Sequence, residues 1–181
     1  VPSVQRASGA TPPSREGDLM PPRQKPGKSK QDYQTPQELI DAVEHRFGSI
    51  GFDLAASKGN AVTERYYDLK ANSLAPRTSW ELPGVNVVWL NPPFAHIEPW
   101  AKKCAEQRDL QRWTLLLVPL GSQDWACDHV WDKAFVLKLR GRVTFAGETQ
   151  GYIKDLILAA FGFGVSGSEI WDWRQQVRAD G

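Results

Sequence analysis

The sequence predicts an α/β fold with a mostly parallel central sheet, an antiparallel edge and helices on both faces, and three observations lead there. The runs Val85-Asn86-Val87-Val88-Trp89-Leu90 and Thr114-Leu115-Leu116-Leu117-Val118 are near-continuously apolar, as strands covered on both sides are. Between them, Ile97, Trp100, Ala101, Cys104 and Ala105 share one helical face, with Lys102, Lys103, Glu106 and Arg108 mostly opposite. Each strand then runs into turn chemistry at the same sheet edge, Asn91-Pro92-Pro93-Phe94 after the first and Pro119-Leu120-Gly121-Ser122 after the second. Open α/β sheets place their ligands at that carboxyl edge.

With 181 residues the chain suits one domain. The expected organisation is a flexible, basic, Pro-rich arm over 1–30, a single domain over 31–175 and a tail over 176–181. The net charge is +1, but the first thirty residues hold six basic residues, Lys28 and Lys30 among them, against Glu16 and Asp18. That segment carries +4 and the remainder −3. Its prolines and aperiodic apolar residues read as an extended segment. Either it is a solvated terminus or its lysines reach nucleic-acid phosphates, which would make binding salt-dependent.

Thr35 is placed to cap a helix opened by Pro36, with Glu38 in its first turn. Leu39, Ile40, Val43 and Phe47 recur at helical spacing and Gly48 is placed to stop the helix, giving about 36–47. A short strand follows over Ile50 to Leu54, then a loop from Ala55 to Asn60. Asp53 either closes a turn or faces a ligand. The small residues Ala55 and Ala56 permit close backbone approach to a bulky group. Thr63 to Tyr67 reads as a short strand or a helix turn. Asp68 either caps a turn or accepts from a ligand's hydroxyls, and Trp80 is either core or pocket wall.

Beyond the central helix and strand, Ser122 is placed to cap a helix through Trp125, Cys127 and Val130. Gln123 and Trp125 are candidates for substrate contact, against the alternatives of a capping loop and a core Trp. Ala134 to Leu139 is a further strand, followed by Arg140-Gly141-Arg142, which either clamps phosphate or faces solvent. Leu156 to Phe161 is expected as the last strand or its antiparallel partner. The alternation Phe161-Gly162-Phe163-Gly164 lacks the spacing and position of a dinucleotide-binding turn.

The chemistry is concentrated at Asn91-Pro92-Pro93-Phe94. Both prolines have φ fixed and no backbone donor, and Pro92 biases Asn91 away from helical geometry, so the loop is stiff. It presents an amide oxygen and nearby carbonyls beside a flat ring. A planar group with an exocyclic amine fits, because its ring stacks while its two hydrogens meet oxygen acceptors. The implied ligand is a nucleobase.

Asn-Pro-Pro-Phe after an apolar strand resembles the catalytic motif of amino-methyltransferases that use S-adenosyl-L-methionine. The wider context is similar to the small phage-type DNA N6-adenine methyltransferases: Thr35-Pro36 before the first helix, Asp53-Leu54-Ala55-Ala56 after the first strand, Asn60 leading into Tyr66-Tyr67, Trp80 ahead of the catalytic strand, and Arg142-Val143-Thr144-Phe145 late in the chain. The resemblance implies a reduced Rossmann-like methyltransferase fold and transfer of a methyl group to adenine N6 in double-stranded DNA, with base flipping and direct attack. It implies Asn91, Pro92, Pro93 and Phe94 as catalytic, and Thr35, Pro36, Asp53, Ala55, Ala56 and Asp68 as the cofactor side. Gln123, Trp125, Arg140, Arg142, Lys28 and Lys30 are the DNA candidates. Departing from the common pattern, no glycine-rich loop follows the first strand. The same acceptor pair also suits cytosine N4 or a glutamine amide, and a catalytically inactive DNA-binding module is the non-enzyme alternative.

Cys104 and Cys127 form no ligand cluster, so no metal site or disulfide scaffold is expected. No apolar stretch reaches the length of a membrane span and the start lacks a secretion signal's apolar core, so residence in the cytoplasm of a bacterial host is expected, without a membrane role or an obligate protein partner.

Overall fold

The computed structural model describes residues 33–178. The expected arm with Lys28 and Lys30 lies outside the described residues, as do residues 179–181 of the expected tail.

Helix α1 spans Gln37–Phe47 and buries Leu39, Ile40, Ala42 and Val43. Gly48 ends it at φ 96, and its N–H bonds to the Glu44 carbonyl. The capping expectation needs correction. Pro36 occupies the N-cap, which puts Thr35 one residue too early, and no side chain caps the helix; the Thr35 hydroxyl instead accepts from the Asn91 amide. Strand β1 is short, Phe52–Asp53. Thr63 to Tyr67 contributes an isolated parallel bridge between Tyr66 and Asp53.

Strands β2 (Val87–Leu90) and β3 (Trp113–Pro119) flank helix α2 (Glu98–Glu106), and the two strands pair in parallel. Helix α3 (Asp124–His129) follows, with Gln123 rather than Ser122 at its N-cap and again no side-chain cap. Strand β4 covers Phe135–Leu139 and β5 covers Leu156–Phe161. Two further elements were not foreseen: strand β6, Gly167–Trp171, and helix α4, Trp173–Arg178.

The sheet order is β1-β2-β3-β5-β4-β6. Strands β1 to β3 are parallel, β6 is parallel to β4, and β5 runs against both β3 and β4. The mostly parallel α/β reading therefore holds, with one correction: the antiparallel strand is inserted inside the sheet, not laid on its edge. An apolar run reports burial on both faces but carries no information on direction, so Leu156 to Phe161 could not locate itself.

Alternate residues of the central strands feed two cores, as the pleat requires. Val87, Trp89, Leu115 and Leu117 face α1 and the Trp173 side chain of α4. Val88, Leu90, Leu116 and Val118 face Ala101 and Cys104 of α2 and the region around Val130. Each fully buried side chain of this kind contributes about 1.5 to 3 kcal/mol of transfer free energy. The sheet is thus covered on both sides, which is why its strands read as unbroken apolar runs.

At the end of β5, a Cβ at Gly162 would lie 2.0 Å from the Arg112 carbonyl oxygen. That glycine is fixed by close packing against the chain entering β3. Both cysteines are free. Among the described residues, no helix is long and apolar enough to cross a membrane, and no cluster of three His, Cys, Asp or Glu is placed to hold a metal ion.

Candidate active site

Because β2, β3, β4 and β6 point the same way, Asn91, Leu120, Arg140 and Asp172 all emerge at one edge of the sheet. Strand β5 begins at that edge, so the segment 140–155 lies along it as well.

The Asn91 amide is oriented by two contacts. Its Nδ2 donates to the Tyr33 carbonyl at 2.9 Å and to the Thr35 hydroxyl at 3.3 Å. A carbonyl oxygen only accepts, so Nδ2 must face it and Oδ1 must point away. Among the described residues, none donates to that Oδ1. Pro92 is buried, while Pro93 and Phe94 are half-buried. The motif therefore presents a neutral acceptor on a stiff backbone, held by residues brought back from more than fifty positions earlier.

Asn91 and Pro93 line a cavity of about 310 Å3. One wall is the loop after β1, from Leu54 to Ser57; another is the segment from Tyr67 to Ser73; Tyr33 and Trp100 complete the side next to Asn91. Pockets of this size take small organic ligands. Of the cofactor-side candidates, Ala55, Ala56 and Asp68 are on the wall, whereas Thr35, Pro36 and Asp53 are not.

Asp53 instead ties the loop together. It is 3% exposed, and its two carboxylate oxygens accept from the backbone N–H groups of Ala55 at 3.1 Å and Val62 at 3.2 Å. Burial pushes its carboxyl up to about 6, against the two amide bonds, which pull it down. Asn60 Oδ1 closes the same loop by accepting from the Ser57 N–H and hydroxyl. Asp68 has one oxygen on the Ala71 N–H at 2.8 Å, so it both caps a turn and lines the cavity.

Trp80 is core, 2% exposed, and it secures the next stretch of wall. Its Nε1 donates to the carbonyl and hydroxyl of Ser73, each at 3.0 Å. Lys103 Nζ sits 4.8 Å from the Trp80 ring centre and donates to the Ser73 and Thr78 carbonyls. Tyr67 donates its hydroxyl to the Ser79 carbonyl and meets the Phe52 ring edge-on at 4.8 Å.

Phe94 does not line the cavity. It packs in an aromatic cluster with Tyr33 at 6.2 Å, Phe145 at 6.2 Å and Tyr152 at 5.5 Å. Tyr33 stacks on Phe145 at 4.7 Å and does reach the cavity. Burial raises the Tyr152 hydroxyl's pKa, so it stays a neutral ring edge.

The remaining candidates divide. Gln123 is exposed, and Trp125 is partly buried against the second core. Arg140 is in an ion pair with Asp172 at 2.9 Å. Arg174 donates to the carbonyls of Arg140 at 3.0 Å and Arg142 at 2.6 Å, so its guanidinium clamps the backbone of that turn. The Arg142 side chain is exposed. Tyr33, Tyr152 and Arg174 were missed by sequence reasoning. The only available signal for Tyr33 was its place two residues before Thr35.

Comparison with known proteins follows the same lines. The sequence profile of the family described as DNA N-6-adenine-methyltransferase (Dam) matches residues 23–156. A DNA N-6-adenine-methyltransferase of Escherichia phage T1 is 35% identical over 111 residues, 56% of this chain and 44% of that protein. The alignment thus spans less than half of that curated relative's length. No solved structure matches significantly.

Proposed function

The chain belongs to the DNA N-6-adenine-methyltransferase (Dam) family, and from that premise we propose that it transfers a methyl group from S-adenosyl-L-methionine to the N6 amine of adenine in double-stranded DNA. The observation that carries the reading is the Asn91 amide. Its nitrogen is committed to Tyr33 and Thr35, which leaves its oxygen as a fixed acceptor beside the cavity.

The cavity residues suit the cofactor. Ala55 and Ala56 leave room for close backbone approach, Asp68 offers a carboxylate to ribose hydroxyls, and Leu54, Tyr67 and Leu69 offer apolar surface to a purine. S-adenosyl-L-methionine, when bound, supplies an electrophilic methyl group on a positively charged sulfur. Asp53 acts one step removed, by holding the loop that carries Ala55 and Ala56.

On the substrate side, adenine N6 is a weak nucleophile because its lone pair is delocalised into the ring. In the proposed mechanism Asn91 Oδ1 and the Pro92 carbonyl accept its two hydrogens. Those contacts favour rehybridisation and strengthen as positive charge grows on nitrogen, which is what lowers a barrier rather than merely tightening binding. Asparagine accepts with a dipole, so the amine would keep its protons until the new N6–carbon bond forms as the methyl–sulfur bond breaks, with S-adenosyl-L-homocysteine as leaving group and one N6 proton then lost to water. Tyr33 and Phe94, stiffened by Phe145 and Tyr152, provide the aromatic surface for the displaced base, a contact worth about 1 to 3 kcal/mol. N6 is inaccessible inside the duplex, so the adenine must leave the stack.

The test is incubation of the chain with unmethylated duplex DNA and methyl-labelled S-adenosyl-L-methionine, followed by digestion and nucleoside analysis. The expected label is in N6-methyladenine. Label in N4-methylcytosine, or none in DNA, contradicts the reading.

A further inference from the structure

Six large apolar side chains stand exposed among the described residues, and their placement is uneven. Phe163, Val165 and Ile170 lie at the far end of β5 and on the outer strand β6. Leu69 lies at the cavity. Leu120 and Ile153, 38% and 63% exposed, sit on the catalytic edge, on segments joined by the Leu120 N–H to the Asp155 carbonyl at 2.8 Å. Nothing in the sheet requires an isoleucine there. Its neighbour Tyr152 turns inward, its ring 5.5 Å from Phe94, while its backbone N–H is fixed to the Val143 carbonyl at 2.8 Å. Ile153 is thus an outward apolar side chain on a backbone anchored next to the catalytic motif.

Its flanks are cationic. A Cβ placed on Gly151 would lie 2.8 Å from Arg142 Cβ, so Arg142 stands against the chain two residues before Ile153, and exposed Lys154 follows it. Glu148 and Asp155 share the loop. The pairing of Arg140 with Asp172 and the clamp of Arg174 on the Arg140 and Arg142 carbonyls fix the base of this rim.

Building on the adenine-methylation reading, we propose that Ile153 is the wedge that enters the base stack of duplex DNA where the target adenine leaves it, with Leu120 beside it and Arg142 and Lys154 on the flanking phosphates. Apolar side chains inserted between base steps hold duplexes open in this way, and the cations suit a polyanion rather than an apolar protein partner. Ile153 touches neither the amine nor the cofactor. It is a positioning residue whose work is the unstacking step alone.

The experiment places 2-aminopurine, which brightens when unstacked, at a methylated position mapped with the parent chain. Methyl transfer is measured in parallel on matched duplex and on duplex whose target adenine faces an abasic site. The parent is expected to raise the emission. Ile153→Ala is expected to lose that rise and to drop turnover on matched duplex by about tenfold or more, as the unstacking cost implies. It should recover to near the parent on the abasic duplex, and Ile153→Met should retain most of both signals. Val165→Ala, exposed beyond the end of β5 at the opposite edge of the sheet, should match the parent throughout. An equal deficit for Ile153→Ala on both duplexes, or no deficit on either, overturns the wedge while leaving methylation standing. A parent that methylates no DNA overturns both.

Discussion

The two segments that flank Asn91, the cavity wall and the rim along the sheet edge, are built in opposite ways. The wall from Asp53 to Trp80 is fastened from inside: buried carboxylate on backbone amides, indole on Ser73, ammonium on two carbonyls. The rim from Arg140 to Asp155 keeps its aromatic rings inward and leaves Ile153, Lys154 and Arg142 to solvent. A wall whose polar groups are internally satisfied is preorganised for a small ligand it can enclose. A rim that exposes apolar and cationic groups together has the chemistry to suit a large anionic partner, as the wedge proposal requires. Between them stands Asn91, oriented by Tyr33 and Thr35 and belonging to both.

That contrast is sharpest at the residue on the border. Asn91→Ala is expected to lower turnover by about 10²- to 10³-fold, the scale of losing one transition-state hydrogen-bonding group, with cofactor and DNA affinities changed little. Turnover within a few-fold of the parent would remove Asn91 from the chemistry.

Asp53 tests the wall. Its carboxyl is raised from 3.8 to about 6 by burial, so between those values the folded chain holds a proton that the unfolded chain has released. Its contribution to stability is therefore greatest below 3.8, falls as pH rises towards 6 and is constant above. Asn does not titrate, so the difference in unfolding free energy between parent and Asp53→Asn should change by about 3 kcal/mol across that window. One amide oxygen also cannot serve both the Ala55 and Val62 amides, so cofactor affinity should fall by about tenfold. Parallel stability curves and unchanged affinity would mean the loop does not depend on this brace.

Thr35→Val removes one of the two acceptors orienting Asn91 and should lower turnover by less than about tenfold, leaving cofactor affinity intact, since Thr35 is not on the cavity wall. A change confined to cofactor affinity would return Thr35 to the cofactor side. The smallest effect separates the two rim arginines. Arg142→Ala should weaken DNA binding modestly and reduce the salt slope by about 0.9, whereas Arg140→Ala should leave the slope unchanged because Asp172 already holds that side chain. Equal slopes for both variants would dissolve the distinction.

The sequence disclosed the wall side and the strand leading into Asn91 more fully than the rim. Strands β2 and β3 and helix α2 were legible because burial on both faces and 3.6-residue periodicity leave unmistakable patterns. The prolines of the 91–94 turn marked the end of β2 as plainly. Strand β6 was not legible, since four of its five residues are exposed and no period survives. The inserted position of β5 was hidden because side-chain pattern is blind to strand direction. Within the site, Asp53 was singled out as facing a ligand or closing a turn, and its aim towards backbone amides rather than the cavity depends on where residue 62 folds back. Tyr33 and Arg174 act through tertiary returns of the chain, Tyr33 from ahead of α1 and Arg174 from α4, and no local spacing encodes such contacts.

The central claim is that one cavity at the strand edge holds the methyl donor against the Asn91 acceptor. A crystal structure with S-adenosyl-L-homocysteine tests it most directly. The account predicts the ligand between the Leu54 to Ser57 loop and the Tyr67 to Ser73 segment, with its sulfur turned towards Asn91. A ligand bound elsewhere, or one whose sulfur faces away from Asn91, contradicts it.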